Sequence, residues 1–368
     1  IIQSRSKESV LQEIRQMSEE KDFKGIVSDI GGPTANMYHM RCTRPEVEAV
    51  CRRQSCVHPK ICKLLGVDHT PVLELMREAR ELPGIRKVLV ASGIRMDLAR
   101  QSPEYIRELT QHHVGGHLKV APEHVDADVL YKMRKPANGD FEYFAEQFKD
   151  ASAEAGKKQF LIPYFIASHP GSSIESMIEL ALFLKRNGYK PDQVQDFIPA
   201  PLDVATSMYY TGLDPFSLKE VFIARALRDR KAQRAMMQFF KPENYFEVRD
   251  ALREAGRNDL IGDGCDCLIP SKPPKEAIEK RRTDANNRFR GEYVHTIPPV
   301  NGSGAQTERN KADGAKDNQS KEASAKSRKG SRKQQRGGQQ GKAPGVGYRP
   351  GRRRSEEHTS ELQSPCNL

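Results

Sequence analysis

The chain has 368 residues, 37% of them hydrophobic and none of them Trp, and its 60 Lys and Arg against 49 Asp and Glu give a net charge of +11. No stretch approaches the roughly 20 consecutive apolar residues that a membrane-spanning helix needs, so composition excludes a membrane protein and predicts no membrane partner. Basic residues number 22 and acidic residues 11 from residue 271 onward, which leaves residues 1–270 with equal numbers of both. The excess positive charge therefore lies in the last part of the chain.

The body of the chain predicts alternating helices and strands. An amphipathic helix comes first, with Val10, Leu11, Ile14 and Met17 on one face. Short apolar runs then alternate with helical patterns, which predicts strands at residues 25–30, 87–91, 117–121, 159–166 and 194–198 and helices at residues 72–82, from 102, 141–155 and 174–187. Near-continuously apolar strands separated by helices predict an α/β fold with a parallel sheet covered on both faces, doubly wound or barrel.

Each predicted strand ends in a polar, Gly-rich or Pro-rich segment. In both versions of an α/β fold the ligand site lies at the carboxyl ends of the strands. The segments at these ends are residues 31–37, 92–95, 122–124, 168–171 and 199–201. Gly and Pro also punctuate ordinary turns, so the pattern predicts where a site lies and not which reaction it performs.

A Cys-rich insertion, residues 41–68, separates the first predicted strand from its helix. It is rich in Arg, has little apolar content, and carries Cys42, Cys51, Cys56 and Cys62 with His58 nearby. The chain shows no signal segment, which predicts a cytoplasmic setting in which thiols stay reduced. Metal or iron–sulfur ligands that staple the insertion are therefore favoured, while a redox or partly disulfide-bonded loop and an incidental cluster are the alternatives.

Composition changes again near the carboxyl end. Residues 275–353 are rich in Gly, Ser, Gln, Lys and Arg, which predicts a disordered basic tail. Such a tail either binds nucleic acid non-specifically through phosphate groups or serves only as a solvated segment. Residues 354–368 resemble the translation of a sequencing-library adapter, so they carry no biological argument.

Nine segments resemble the YgiQ-type radical S-adenosylmethionine (SAM) proteins, over about residues 4–274. They are SRSKESVLQEI, SDIGGPTANMY, CRRQSCVHPKIC, LLGVDHTP, VASGIRMDL, LKVAPEHV, PYFIASHPGS, VQDFIPAPLDVATSMYYTGLDP and MMQFFKPENY. The resemblance implies a partial (β/α)6 barrel of the TIM-like kind at residues 1–217 and a small accessory domain at residues 218–274. It also implies a four-iron, four-sulfur cluster held by a CxxxCxxC loop, reductive cleavage of SAM, hydrogen abstraction from an unknown substrate, and a reductant such as flavodoxin or ferredoxin.

The sequence departs from the family at the cluster loop. No CxxxCxxC occurs, and the tightest triple, Cys51, Cys56 and Cys62, has a different spacing. In the family the motif lies just upstream of the SRS segment. We therefore expect this chain to begin after it, without the first strand and cluster loop, and to be inactive alone.

The resemblance assigns SAM contacts to the strand-end loops. Gly31, Gly32 and Pro33 take the place of the glycine-rich segment whose backbone binds the SAM amino group, which only Gly lets approach so closely. Polar side chains that follow the later strands are implied to meet the rest of SAM, with turn residues as the plainer interpretation; they are Ser92, Arg95, Glu123, His124, Ser168 and His169, together with Gly171. No catalytic residue is predicted.

The four insertion cysteines are candidates for an auxiliary iron–sulfur cluster or a structural zinc, and thiolates suit both. For Cys265 and Cys267, the alternatives are a ligand pair, a redox couple and a surface loop. Three functions follow as expectations. They are a radical SAM enzyme on an unknown substrate, a radical SAM enzyme that modifies RNA with help from the basic tail, and a non-catalytic, metal-stapled binding module.

Overall fold

The computed structural model describes residues 3–32 and 34–288, and all of them belong to one compact unit. Five strands are described, namely β1 (Ile26–Val27), β2 (Lys87–Val88), β3 (His117–Glu123), β4 (Phe160–Ala167) and β5 (Gln195–Asp196). The described α-helices are α1 (Lys7–Glu19), α2 (Pro45–Glu48), α3 (Thr70–Glu81), α4 (Met96–Ala99), α5 (Pro103–Glu108), α6 (Ala127–Lys132), α7 (Asn138–Glu154), α8 (Ile174–Arg186), α9 (Val204–Thr211), α10 (Leu227–Met237), α11 (Tyr245–Glu254) and α12 (Lys275–Arg288). Within the described part of the chain, no helix combines the length and the apolarity needed to span a bilayer.

All strand pairs are parallel, as predicted. Strand β1 pairs with β2, and β3, β4 and β5 form a second sheet in that order. Backbone N–H of Val90, just beyond β2, donates to the carbonyl of His113, just before β3, at 3.0 Å, so the chain next to one sheet continues into the other. The described strands thus follow one another in chain order, but they do not close into a barrel.

Each predicted strand and helix overlaps an observed one, because apolar periodicity marks the buried faces. Strand β3 alternates between exposed and buried residues and is interrupted by a bulge between Val120 and Glu123. The predicted cap Ser102 accepts a hydrogen bond from Tyr105 N–H at 3.3 Å and begins α5, with Pro103 in the first turn. Local sequence therefore locates the elements but not their full extent, because β1, β2 and β5 each have two residues where the sequence predicted five or six.

One hydrophobic core runs across the boundary predicted between residues 217 and 218. Met177 and Leu184 of α8 are fully buried, and so are Met236 of α10 and Val248 of α11 in the same cluster. Helix α10 also contacts β4 directly. Residues 218–274 therefore cover the sheet rather than fold around a core of their own.

The predicted disorder is wrong for the start of the tail. Residues 275–288 form α12, where Ala277 is 1% exposed and the Arg281 guanidinium lies 4.5 Å from the centre of the Phe246 ring. Packing of this small apolar side and the cation–π contact stabilise a segment whose composition alone is polar. Residues 289–353, and the segment at 354–368, lie outside the described residues.

The Cys-rich insertion has more apolar packing than its composition suggested. Leu65 packs with buried Met37 and Leu98, and Val57 and Ile61 pack against this small cluster. Backbone N–H of Thr43 donates to the carbonyl of Leu64 at 2.8 Å. The insertion thus packs on the body through these apolar side chains, and the Thr43–Leu64 hydrogen bond joins its two ends.

Candidate functional site

Asp29 organises the carboxyl edge of the first sheet. Its Oδ1 accepts hydrogen bonds from the backbone N–H of Gly31 and Ala91 at 3.0 Å and of Ser92 at 3.2 Å, and its Oδ2 accepts from the Ser92 hydroxyl. Partial burial alone would raise the pKa of Asp29, but these hydrogen bonds outweigh it and lower the pKa below its usual value. One carboxylate therefore fixes both loops that leave β1 and β2.

Asn36 and Arg95 also hold together the loops that follow β1 and β2. The fully buried Asn36 amide donates to the Arg95 carbonyl at 2.9 Å and accepts from Arg95 N–H at 2.8 Å. The Arg95 guanidinium pairs with Asp97 at 3.0 Å and donates to the Val57 carbonyl of the insertion at 3.1 Å. Arg95 thus joins the first sheet to the insertion, and its charge is already neutralised by Asp97.

Gln233 of α10 organises the loop after β4. Its side-chain oxygen accepts from Ser168 N–H at 2.7 Å, and its amide nitrogen donates to the Ser172 carbonyl at 2.6 Å. Gln233 is 2% exposed, so both bonds are shielded from water. The Ser168 hydroxyl is buried with no hydrogen-bond partner among the described residues, which makes it the one uncommitted polar group of this loop.

Two buried histidines beside this loop are neutral. The Nδ1 atom of His124 accepts from Asp126 N–H at 3.0 Å, so its proton lies on Nε2, which faces the Ser172 hydroxyl at 3.5 Å. Burial lowers the pKa of His124 to about 4. His169 donates from Nδ1 to the Pro170 carbonyl at 2.9 Å, and burial lowers its pKa too. Neither imidazole offers a positive charge near pH 7.

Left-handed backbone conformations gather where the strands end. Thr34 after β1, Glu123 at the end of β3 and Ser168 directly after β4 have φ of 58°, 67° and 63°. Residues with a Cβ rarely adopt such angles, and they persist where the surrounding structure enforces them, often at functional sites. The Glu123 carboxylate also pairs with Lys135 at 3.2 Å. Backbone strain is thus present at the edge that the sequence predicted as the site, as it is at four other positions of the described residues.

The candidate glycines differ in what surrounds them. A Cβ on Gly31 would lie 2.8 Å from the Ala35 Cβ and 3.0 Å from the Ser92 Cβ, whereas one on Gly32 would meet nothing within 4 Å. A Cβ on Gly171, with φ of +89°, would lie 2.6 Å from the Lys132 side chain. Gly31 and Gly171 are thus required by the protein's own packing, and only Gly32 faces open space. Pro33 lies outside the described residues.

The four insertion cysteines lie near one another without forming a ligand set. The pKa of Cys56 is raised by burial and then by the charges of Cys62, Cys51 and Cys42, so the four thiols are close enough to interact. Across residues 3–32 and 34–288, however, no three His, Cys, Asp or Glu side chains converge as metal ligands, and the six cysteines described are free thiols. As arranged, these residues do not fit a bound cluster or zinc ion.

The structure brings the predicted residues together in two groups, one at each sheet. Ser92 and Arg95 lie beside Gly31 and Gly32, and the second sheet places Glu123 and His124 near Ser168, His169 and Gly171. Sequence reasoning missed Asp29, Asn36 and Gln233, which hold these groups in place. A carboxylate in the segment Asp-Ile-Gly-Gly at a strand end was a usable signal for Asp29, whereas Gln233 lies 65 residues from its partner and gave none.

The chain is similar in sequence to known proteins of one family. A profile described as a domain of unknown function, DUF3362, matches residues 192–343. UPF0313 proteins align over most of the chain. The relative from Pseudomonas aeruginosa is 46% identical over 313 residues, and the one named YgiQ from Salmonella typhimurium is 47% identical over 294 residues.

The chain belongs to the UPF0313 family. The alignments cover 81% of this chain and 42% of the Pseudomonas protein, and 78% of this chain and 41% of the Salmonella protein. The chain thus spans about two fifths of the length of these UPF0313 relatives. The names of these relatives state no activity, cofactor or partner.

Proposed function

We propose that this chain supplies the SAM-binding edge and the neighbouring substrate loops of a radical SAM enzyme that works in the cytoplasm, on a partial (β/α)6 barrel. The observation that supports this most is the sequence of parallel strands in chain order, with left-handed residues at the ends of β3 and β4. In a radical SAM enzyme, SAM bound at a reduced four-iron cluster supplies hydrogen-atom abstraction. The substrate and the reductant stay predictions.

The residues present fit SAM at one point of the first sheet. Gly32 faces open space beside a cavity of about 730 Å³ that is also lined by Asp29, Gly31 and Thr34. Ser92 and Arg95 are committed to Asp29 and Asp97. We therefore assign Gly32 to contact with the ligand and the two polar side chains to positioning of its loop.

At the second sheet, the chain's own residues exclude water and hold a loop. Buried His124 and Gln233 fix the segment from Ser168 to Ser172, in which the Ser168 hydroxyl is buried without a partner among the described residues. Because both histidines are neutral, they act through hydrogen bonds and shape rather than through charge.

The test is SAM binding in the chain joined behind a segment that carries the CxxxCxxC motif implied by the family resemblance, and reconstituted anaerobically with iron and sulfide. This protein should gain about four irons over the chain alone. Gly32→Val should weaken SAM binding at least about tenfold, which corresponds to roughly 1.4 kcal/mol. A Cβ on Gly32 meets no protein atom within 4 Å, so we expect the fold to be unchanged.

Gly139→Val is the matched control, because a Cβ on Gly139 also meets nothing within 4 Å and Gly139 lies on α7, away from the strand ends. SAM affinity should be unchanged in this variant. Failure of the reconstituted protein to bind SAM, or an equal loss in both variants, would overturn the proposal.

The cofactor prediction for the insertion cysteines is tested separately. The four thiols would have to converge to hold a metal. Iron, sulfide or zinc that anaerobic quantification finds in this chain, and that is lost in Cys56→Ser and retained in Cys265→Ser, would support the prediction. A chain that takes up no metal under these conditions would remove both the auxiliary cluster and the structural zinc. It would also remove the metal-stapled binding module as an alternative.

A further inference from the structure

A large basic cavity lies between the Cys-rich insertion, α6 and the segment after α9. We call it the insertion cavity; it has a volume of about 1080 Å³. Its lining includes six basic side chains and three acidic ones, which are Arg52, Arg53, Lys60, Lys132, Arg134 and Lys219 against Asp128, Asp214 and Glu220. The cavity is large enough for a small-molecule ligand and carries a surplus of positive charge.

The cavity has a surplus of three positive charges, and its six basic side chains form no ion pair among the described residues. Asp214 is engaged locally, since its carboxylate accepts from the Ser217 hydroxyl at 2.6 Å and from Phe216 N–H at 3.1 Å. Six such cations around one space favour an anionic ligand, and phosphate and carboxylate groups are the anions that Arg and Lys bind through charge-assisted hydrogen bonds.

Planar side chains line the cavity next to the cations. The Arg134 guanidinium lies 4.0 Å from the centre of the Phe216 ring, and the Tyr131 and His58 rings lie 4.8 Å apart. Tyr131 is 57% exposed and Phe216 is 48% exposed, so both rings keep free surface. Exposed aromatic rings among cations are the combination that binds nucleobases together with phosphates.

The cavity adjoins the candidate site. The Lys132 side chain crosses over Gly171 after β4, and Val221 of the cavity precedes Phe222, whose carbonyl accepts from Gly171 N–H at 2.8 Å. On the other side, Arg95 donates to Val57 of the insertion. A molecule bound in the cavity would therefore lie beside the loops at both sheets.

We propose that the insertion cavity binds a nucleotide unit, with its phosphate at Lys132 and Lys219 and its base against Tyr131. The nucleotide is either free or part of a single-stranded nucleic acid. The inference deepens the proposed function by naming a substrate class, and it rests on that function only for the role of the bound molecule. SAM carries no phosphate, so the two ligands are distinguishable.

The first experiment measures binding of a fluorescein-labelled ten-nucleotide oligouridylate by anisotropy, with ATP as competitor, to the full chain at several salt concentrations. Each phosphate-binding lysine that is removed lowers the slope of log K against log salt by about 1, so Lys132→Gln/Lys219→Gln should lower it by about 2. The control Lys21→Gln/Lys149→Gln makes the same charge change elsewhere and should leave the slope unchanged. The basic tail is present in every variant and contributes equally.

The second experiment tests the base. Stacking contributes about 1–3 kcal/mol per base, so Tyr131→Ala should weaken binding of the oligonucleotide or ATP at least about fivefold and leave binding of inorganic tripolyphosphate unchanged.

Competition by ATP at low concentration indicates a free nucleotide, and tight binding of the oligonucleotide alone indicates a nucleic acid. Both results support the proposal. Equal slopes in the two lysine variants, or tripolyphosphate that binds as tightly as ATP, would overturn it. Circular dichroism checks folding, and Arg52→Gln/Lys60→Gln serves if the first pair fails to fold.

Failure here is separable from failure of the proposed function. Gly32→Val should leave oligonucleotide and ATP binding unchanged, because Gly32 does not line the insertion cavity. Loss of SAM binding with intact nucleotide binding, or the reverse, therefore identifies which of the two proposals is wrong.

Discussion

The edges of the two sheets are held by different means. At the first sheet, the Asp29 carboxylate lies two residues beyond β1 and gathers backbone N–H groups from its own loop and from the loop after β2. At the second sheet, Gln233 reaches the loop after β4 from α10, and His124 supports it from the loop after β3. One edge depends on charge close to the strand, and the other depends on neutral groups brought from far along the chain.

This difference teaches how each edge responds to change. A solvent-accessible carboxylate keeps part of its hydration, so replacing it lowers the free energy of unfolding only moderately. Buried neutral groups have no such alternative, because an unmade hydrogen bond away from water costs the full desolvation of its partner. We therefore expect the second edge to be the more fragile, and the predictions below test that expectation.

Gln233→Ala should have the largest effect. It leaves Ser168 N–H and the Ser172 carbonyl buried without partners, and it opens a small cavity. We expect the free energy of unfolding to fall by about 4 kcal/mol, measured by urea denaturation. The exposed Gln101→Ala is the control and should change it by less than about 0.5 kcal/mol. A small loss in Gln233→Ala would show that water replaces both bonds.

His124 should make stability depend on pH. Its folded pKa of about 4 lies below the usual histidine pKa of 6.5, so the unfolded chain takes up a proton at a pH where the folded protein does not. The contribution of His124 to the free energy of unfolding is complete above pH 6.5. It is lost as pH falls toward 4, and the total loss is about 3 kcal/mol. His124→Asn should flatten the stability curve over this range in parallel urea titrations, and an unchanged curve would contradict the assignment.

Asp29→Asn tests the first edge. The amide keeps one acceptor oxygen but loses the charge that strengthens four hydrogen bonds. We expect a loss of about 1.5 kcal/mol at pH 7 in the free energy of unfolding.

The same variant should change the acid limb of the stability curve. The pKa of Asp29 is lower folded than unfolded, so its contribution is complete above pH 3.8, the unshifted value, and is lost as pH falls through the folded pKa. The difference between wild type and Asp29→Asn should therefore shrink below pH 3.8. A difference that is constant with pH would indicate a steric rather than an ionic role.

The neighbouring glycines Gly31 and Gly32 should show the smallest difference in free energy of unfolding. Gly31→Ala places a Cβ 2.8 Å from the Ala35 Cβ and should cost about 1 kcal/mol through overpacking. Gly32→Ala meets nothing and should stay within about 0.5 kcal/mol of wild type. Thermal and urea unfolding of both variants measures the difference, and equal values would mean that Ala35 and Ser92 move freely.

Much of the fold was predictable from local patterns. Apolar alternation and helical spacing located β3, β4, α3, α7 and α8, and Ser102 was a readable cap. The start of the tail was predicted wrongly, because α12 depends on Phe246 beneath Arg281, a contact that composition does not contain.

The sequence by itself determined the alternation of parallel strands and helices and the polar character of every strand end, since both follow from residue periodicity and turn chemistry. Only the tertiary structure decided which residues hold those ends. Gln233 and Ser168 meet because α10 packs on β4, and the six cations of the insertion cavity meet because residues 52–60 fold back toward α6. Neighbours of this kind are distant along the chain, so their electrostatic and hydrogen-bonding effects arise only when packing brings them together.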